Sequence, residues 1–450
     1  MPRDYVAGRR RSPRGRCSAL PGVGPEGRAY PGGVSDPISL PRLVATTREI
    51  DPVDDPLRYA SPSDPIAWLR RGDGLIGAGP EVLRLDVGED GRLDALADVW
   101  RAIAQATDID DEVELPGTGL VGFGAFAFDE GSAAPSTLVV PSTVIGRRDG
   151  RAWLTRIDRL GGSAPEVRPR DYGAQWSATL GPGAMDPEAH GAAVRSALEA
   201  IRSGELSKVV VARDISGTVP AAADLRRLVR ALASGYPDTW VFATDGIIGA
   251  SPETLVTVRR GTVTARVLAG TRPRGADADE DAAITAELAT SDKDNAEHDY
   301  AVQSVLRSLR PHTSALAAAE QPFMLRLPNL WHLATDVEGT LSNGSTALDM
   351  VRALHPTAAV AGTPTDAAVA AIRRIEPFDR GRYAGPVGWI DGDGDGEWAI
   401  ALRCAQFGPV EGATRTVTAH AGGGIVEGSV PEAELLETRV KFRPIVDALA

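Results

Sequence analysis

The segment Ala193-Val-Arg-Ser-Ala-Leu-Glu-Ala-Ile-Arg-Ser-Gly-Glu-Leu-Ser-Lys-Val-Val-Val-Ala-Arg213 changes its period part-way along. Val194, Ala197, Leu198 and Ile201 recur at i, i+3, i+4 and i+7, the spacing of one helical face. Ser203-Gly204 ends that pattern, and Lys208-Val-Val-Val-Ala212 follows as a short strand of the buried type. Working outward, Trp240-Val-Phe-Ala243 and Thr254–Val258 read as strands on either side of a tight turn at Gly249-Ala-Ser-Pro252. Ser291 with Asp294 forms a capping box for a helix whose apolar stripe is Val302, Val305, Leu306 and Leu309. Ser429 with Glu432 predicts a second box and a helix through about Phe442, interrupted by Pro444. In the first half, Gly119–Phe128, Thr137–Val140 and Arg151–Ile157 are strand-like, and 161–185 reads as a connector. Strands and helices interleave without a βαβ rhythm, so an α+β fold with antiparallel sheets is expected.

The 450 residues carry a net charge of −13 and are 43% hydrophobic. The acidic balance argues against a nucleic-acid or membrane-surface partner, since both need a basic face. Residues 1–35 run the other way, with seven Arg against Asp4 and Glu26, which leaves −18 on the remainder. Residues 1–38 are expected to be a disordered basic leader, or the product of a start codon set too far upstream, followed by one domain over 39–450. Arg9-Arg10-Arg11 has no apolar stretch after it, so export is rejected and a cytoplasmic location expected. Two cysteines and six scattered histidines leave carboxylates and lysines as the agents of any chemistry.

Several motifs fail. Asp391-Gly-Asp393-Gly-Asp395-Gly396 opens like a calcium loop, but Leu402 stands where a bidentate Glu is required, so a hairpin tip is the better reading. Asn343-Gly-Ser345 is a glycosylation sequon by spelling only. Phosphate-binding loops, zinc signatures and a nucleophile elbow are all missing from the text.

Four segments place charge beside glycine or inside an apolar run. In Ser207–Arg213, Lys208 could snorkel to solvent, or, if enclosed, have its pKa lowered into the range of a general base. In Gly249-Ala-Ser-Pro-Glu253, the Glu could equally open a helix as a surface carboxylate. Val267–Gly275 and Ser291–His298 follow, where His298 is expected to be a satisfied core histidine. Last come Ala419-His-Ala-Gly-Gly-Gly-Ile-Val426, expected to make a tight turn, and a helix with Glu434, Glu437 and Lys441. Taken singly, each has a plain structural explanation.

Together they resemble the chorismate-utilising enzymes. The resemblance is carried by Ser207–Arg213, Gly249–Leu255, Leu268–Gly275, Ser291–His298, Leu354–Thr357, Gly362–Pro364, Asp379–Trp389, Gly396–Arg403 and Glu437–Lys441. It implies a large α+β domain of two packed antiparallel β-sheets with helices outside and the active site between the sheets. By the same resemblance, Lys208 is the general base that activates water and Glu253 the general acid. Glu297 and Glu437 are the ligands of a Mg²⁺ ion, and Gly270, Thr271, His332, Ala359, Tyr383, Arg403, Gly422, Gly424 and Lys441 bind the substrate. The chemistry suits such a set: chorismate is a dianion, and hydroxide leaves only if protonated.

Within that family, ammonia-using anthranilate synthases usually have Gln where Lys208 stands. Aminodeoxychorismate synthases typically read Pro-Ile-Lys-Gly-Thr where this chain has Val267-Leu-Ala-Gly-Thr271. The resemblance therefore implies the water-using branch and no glutaminase subunit; a monomer is expected because no repeat or coiled-coil pattern demands an oligomer. Ala359, where salicylate synthases tend to have Thr, implies isochorismate formation; the alternatives are salicylate formation or a silent paralogue serving as a binding subunit. One departure stands out: Gly422-Gly423-Gly424 replaces the usual Gly-Ala-Gly, which is expected to loosen a loop.

Overall fold

The strand Ser136–Arg148 is buried along nearly all its length and is the branch point of the sheet. Runs such as Thr137-Leu-Val-Val-Pro141 offer apolar or small side chains to both faces, as a strand covered on both sides requires. The computed structural model describes residues 41–88, 92–326, 330–342 and 344–450, without the side chains of Arg92, Thr271, Pro273, Lys293, Glu297 and Leu330. The expected leader (1–38) and the sequon residue Asn343 lie outside the described residues. Leu40–Ala450 form one compact unit.

Two antiparallel ladders leave Ser136–Arg148. One passes through Asp73–Val87, Ile66–Arg70, Trp240–Thr244, Ile247–Ser251, Cys404–Glu411 and Thr414–Ile425 to Lys208–Pro220. The other passes through Val121–Ala125, Pro386–Asp391, Gly396–Ile400, Thr254–Arg259 and Thr262–Pro273 to Leu330–Leu341. Helices Pro187–Arg202, Thr365–Ile375 and Pro431–Leu449 pack on the far strands of the first ladder. Helices Asp292–Leu309 and Ala347–Leu354 pack on the second. The expected α+β architecture of antiparallel sheets with helices outside is thus observed, its two ladders joined through one shared strand.

Between the ladders lies an apolar core rich in tryptophan, including Trp68, Trp389 and Trp398. Buried Glu397 cross-links it: Oε2 accepts from the indole N–H of Trp68 in the first ladder at 2.9 Å and of Trp389 in the second at 3.3 Å. Its other oxygen accepts from Arg259 at 2.5 Å and pairs with Arg148 at 3.1 Å.

Four sequence expectations change. Gly249-Ala-Ser251 is not a turn but the end of a strand; the turn lies earlier, at Asp245-Gly246, between Trp240–Thr244 and Ile247–Ser251. The triple glycine also lies in a strand, Gly422, Gly423 and Gly424 standing opposite Ala212, Val211 and Val210. Extended backbone suits glycine poorly on propensity, but close neighbours on both sides outweigh that here. The last helix starts at Pro431 with Val430 as its cap, and it continues through Pro444 to Leu449. Ser429 bonds Glu434 rather than capping with Glu432. By contrast, Ser291 accepts from Asp294 N as a cap, and 391–396 forms the hairpin tip, Asp391 accepting from Gly117 N, Asp393 N and Asp395 N.

Candidate active site

The chain crosses between the two ladders twice at the same place. Pro252-Glu253 joins Ile247–Ser251 of the first to Thr254–Arg259 of the second, and Ala401-Leu402-Arg403 joins Gly396–Ile400 back to Cys404–Glu411. The crossings are stitched together. Ile400 N donates to Glu253 O and Ala250 N to Arg403 O, both at 3.1 Å, and Ser251 Oγ donates to Ile400 O at 2.6 Å. Arg403 sits at φ 51°, in the left-handed region that costs a non-glycine residue roughly 1 kcal/mol. The reciprocal bonds hold it there, aiming one acid and one cation into the seam between the ladders.

Lys208 opens the last strand of the first ladder and is half-buried. Its side chain runs over the neighbouring strand at Gly424, where a Cβ would stand 2.9 Å from Lys208 Cε and 3.7 Å from Nζ. A side chain at 424 would have to displace the lysine. Lys441, on the last helix, donates from Nζ to Gly422 O at 2.7 Å and pairs with Glu437. The glycine strand therefore carries one lysine across Gly424 and is capped by a second at Gly422.

Glu253 lies deep in the protein yet keeps accessible surface, as a group lining a cleft does. Burial raises its carboxyl above the ordinary value, against the opposing charges of Lys208, Arg403 and Lys441. Arg403 is depressed by burial and supported by Tyr383, Glu253 and Glu437. Burial pushes the Tyr383 phenol up to about 12, with Arg380 and Arg403 opposing. His332 faces Thr271 across the second ladder; burial lowers its pKa, a bond to the Gly270 backbone opposes, and Lys208 lowers it further. Gly270 itself has φ 74° at a bulge in that ladder.

The structure thus gathers Lys208, Glu253, Gly270, His332, Tyr383, Arg403, Gly422, Gly424, Glu437 and Lys441. Thr271 lies on strand Thr262–Pro273 and Glu297 on helix Asp292–Leu309, which packs on that strand, but their side chains lie outside the described residues. Ala359 is exposed in a turn, with no described contact to the cluster. His298 is the core histidine expected, between Ala269 O at 3.2 Å and Thr335 Oγ1 at 2.7 Å. Sequence reasoning missed the rings behind Tyr383: His420 stacks on it at 5.1 Å, and Phe378 meets His420 at 5.0 Å. Burial drops His420 to about 4, so its imidazole is neutral. A further signal was overlooked. The chain has only three lysines (Lys208, Lys293 and Lys441) among 48 Lys+Arg, and two of them meet here. Arginine cannot surrender a proton at neutral pH, so an arginine-rich chain keeps lysine where chemistry needs it.

A family model described as chorismate binding enzyme matches residues 165–450. The chain is a chorismate-binding enzyme. It is 43% identical over 277 residues to the isochorismate synthase DhbC of Bacillus subtilis, covering 59% of this chain and 68% of that one. To the salicylate biosynthesis isochorismate synthase of Pseudomonas aeruginosa it is 37% identical over 265 residues, 58% of this chain and 54% of the other. The fold is shared with MenF, the menaquinone-specific isochorismate synthase of Escherichia coli, at TM-score 0.70 and 24% identity, covering 91% and 95% of the two chains.

Among the described residues no group of three or more His, Cys, Asp or Glu converges as a ligand set. Two carboxylates do converge: a Cβ at Gly423 would stand 2.8 Å from Glu434 Oε2 and 3.7 Å from Glu437 Oε1. Burial raises the Glu434 carboxyl, a bond from Ser429 opposes, and the charge of Glu437 raises it further. Crowded anionic oxygens with no histidine or thiolate among them fit a hard divalent cation. Glu434 was not among the expected site residues, although Glu434, Glu437 and Lys441 share one helical face at i, i+3 and i+7.

Proposed function

We propose that this chorismate-binding enzyme is an isochorismate synthase, converting chorismate reversibly to isochorismate. The observation that carries the reading is that the Glu253 carboxyl, raised by burial, shares its surroundings with Lys208, Arg403 and Lys441. The reaction exchanges a hydroxyl at C4 for one at C2 with a shift of the ring double bond. Lys208, as the neutral amine, takes a proton from water as its oxygen bonds to C2. Glu253, as the carboxylic acid, gives its proton to the C4 hydroxyl as the C4–O bond breaks and water leaves. One water enters and one departs, so substrate and product are isomers, and each group ends in the state the reverse reaction requires. Arg403 and Lys441 supply positive charge for the two carboxylates of the substrate, and buried Tyr383 a hydroxyl donor.

Glu437, with Glu434 beside it and Glu297 of helix Asp292–Leu309, would hold Mg²⁺. When bound, the ion supplies charge neutralisation for a substrate carboxylate. Relatives named for dihydroxybenzoate, salicylate and menaquinone routes all carry the isochorismate synthase name, which supports the reaction and leaves a siderophore or menaquinone destination equally served. Purified protein given chorismate and Mg²⁺ should yield isochorismate by chromatography, and Lys208→Ala should abolish it. Salicylate with pyruvate as the product would replace the reading with salicylate synthesis.

A further inference from the structure

The strand that begins at Lys208 has an unusual outer edge. Gly362–Thr363 pairs with Val209 and Lys208, and Ala361 O then accepts from Val210 N at 2.8 Å. There the two-residue edge strand ends. The next two backbone groups on that side meet side chains instead. Arg380 Nη2 donates to Val210 O at 2.9 Å, and Ala212 N donates to Glu376 Oε1 at 2.8 Å. A guanidinium and a carboxylate thus continue the hydrogen-bond ladder where backbone stops, satisfying an edge that would otherwise present bare polar groups.

The two side chains are also locked to each other. Arg380 donates to Glu376 from Nε at 2.8 Å and from Nη2 at 2.6 Å, and both side chains are at most 2% exposed. The remaining nitrogen, Nη1, donates to Val360 O at 2.8 Å, next to Ala359. The guanidinium lies 4.5 Å from the Phe128 ring centroid and 5.9 Å from that of Tyr383. One ion pair therefore touches the strand of Lys208, the turn of Ala359 and the ring of Tyr383. A buried ion pair is weak support for stability, because desolvation cancels much of its attraction, and an apolar pair of similar size often does as well. Its geometry, however, an apolar pair cannot reproduce.

We propose that Glu376 and Arg380 are positioning residues for the reaction, setting the register of the Lys208 strand against Tyr383 and the Ala359 turn. The proposal rests on the roles given above to Lys208 and Tyr383. A second buried pair supplies the control. Asp224 and Arg226 are equally enclosed, but Arg226 ties down the carbonyls of Arg58, Arg170 and Asp171, none of them in the site.

The test compares E376Q, R380K, the double variant E376L/R380M and D224N in the full chain, each with a thermal melt, steady-state kinetics on chorismate and amide hydrogen exchange. E376Q and R380K keep a hydrogen-bonding group at the edge and should keep the fold, whereas the double variant leaves Val210 O, Ala212 N and Val360 O without these partners and is the most perturbed. In it, kcat should fall about 10- to 100-fold while KM changes less than about threefold, the signature of misplaced reacting groups. Exchange at Val210–Ala212 should quicken about tenfold or more as the edge loses its partners. D224N should lower the melting temperature and leave kcat within about twofold below the melt. A folded E376Q, R380K or double variant with wild-type kcat overturns the proposal, as does a D224N enzyme that loses kcat equally. If wild type turns chorismate into some other product, the isochorismate reading fails, while the kcat ratios and exchange rates still decide the positioning role.

Discussion

At Glu253 stability and function pull against each other. Its carboxyl titrates above the ordinary value of 4.5 because burial disfavours the anion. The folded state then holds the proton more tightly than the unfolded chain. The resulting stability is fully present below the unfolded pKa and is lost as pH rises through the folded value. Glu253→Gln removes the ionisable group, so its melting temperature should match wild type near about pH 4 and exceed it near about pH 8. Turnover should drop about 100-fold or more with loss of the acid. A Glu253→Gln enzyme no more stable than wild type in alkali would contradict the burial argument. In wild type, the limb on which kcat/KM falls with rising pH should lie above the ordinary carboxylate range, as Glu253 gives up the proton it must donate. Gly424 is the steric counterpart: Gly424→Ala puts a methyl 2.9 Å from Lys208 Cε, so kcat should fall about 10-fold at constant fold, read by kinetics beside circular dichroism. Lys208 and Glu253 were legible because their types and flanking motifs are unusual. Neither period nor motif, however, reveals that a lysine rests on a glycine so far along the chain.

At the scale of elements, legibility followed local chemistry. The helix over Pro187–Arg202, the strand from Lys208 and the cap at Ser291 were readable because period and cap are written in adjacent residues. The triple glycine misled for a physical reason. Glycine's local preference is for turns, whereas Gly422–Gly424 are strand residues whose neighbours (the Val211 and Ala212 backbone, and the side chains of Glu434 and Lys208) crowd the space a Cβ would take. Gly423 is the informative member. The atom a new methyl would meet is the far end of Glu434, a flexible side chain, so displacement is cheap. Gly423→Ala should therefore leave stability within about 1 kcal/mol of wild type while moving the carboxylate off the strand. Half-saturation by Mg²⁺ in the activity assay should shift by about twofold or more, since a donor beside Glu437 has moved. An unchanged Mg²⁺ dependence would detach Glu434 from the ion's surroundings.

For the molecule as a whole, the problem is charge. A dianionic substrate approaches a chain of net charge −13, yet the seam faces it with Arg403 and Lys441. Over distances beyond the Debye length, about 8 Å at physiological salt, the global field is screened and the local one governs. The seam lies where both ladders cross, so its charges are held by the whole fold rather than by one loop. That arrangement no local pattern in the sequence could reveal, because Glu253 and Arg403 are 150 positions apart and are brought together by backbone bonds from Ile400 N to Glu253 O and from Ala250 N to Arg403 O. The local balance is tight, however: Glu434 and Glu437 bring two acids beside Lys441, with Arg403 shared between Glu437 and Glu253, and burial already holds Glu434 above its ordinary value. A bound divalent cation would offset the two acids, and a ligand that binds only the folded state stabilises it by mass action. At a hundredfold excess over Kd the gain is about 2.7 kcal/mol, a shift of a few degrees at most in a domain of this size. Adding Mg²⁺ to chelator-treated protein should therefore raise the melting temperature of wild type without any substrate present. Glu437→Gln should erase most of that rise while keeping its own baseline melt, because it removes one donor charge and leaves Lys441 bonded to Gly422 O. Equal Mg²⁺ shifts in both proteins would move the ion away from Glu437. No shift in either, together with full turnover after chelation, would leave the cations of the seam to balance the substrate alone.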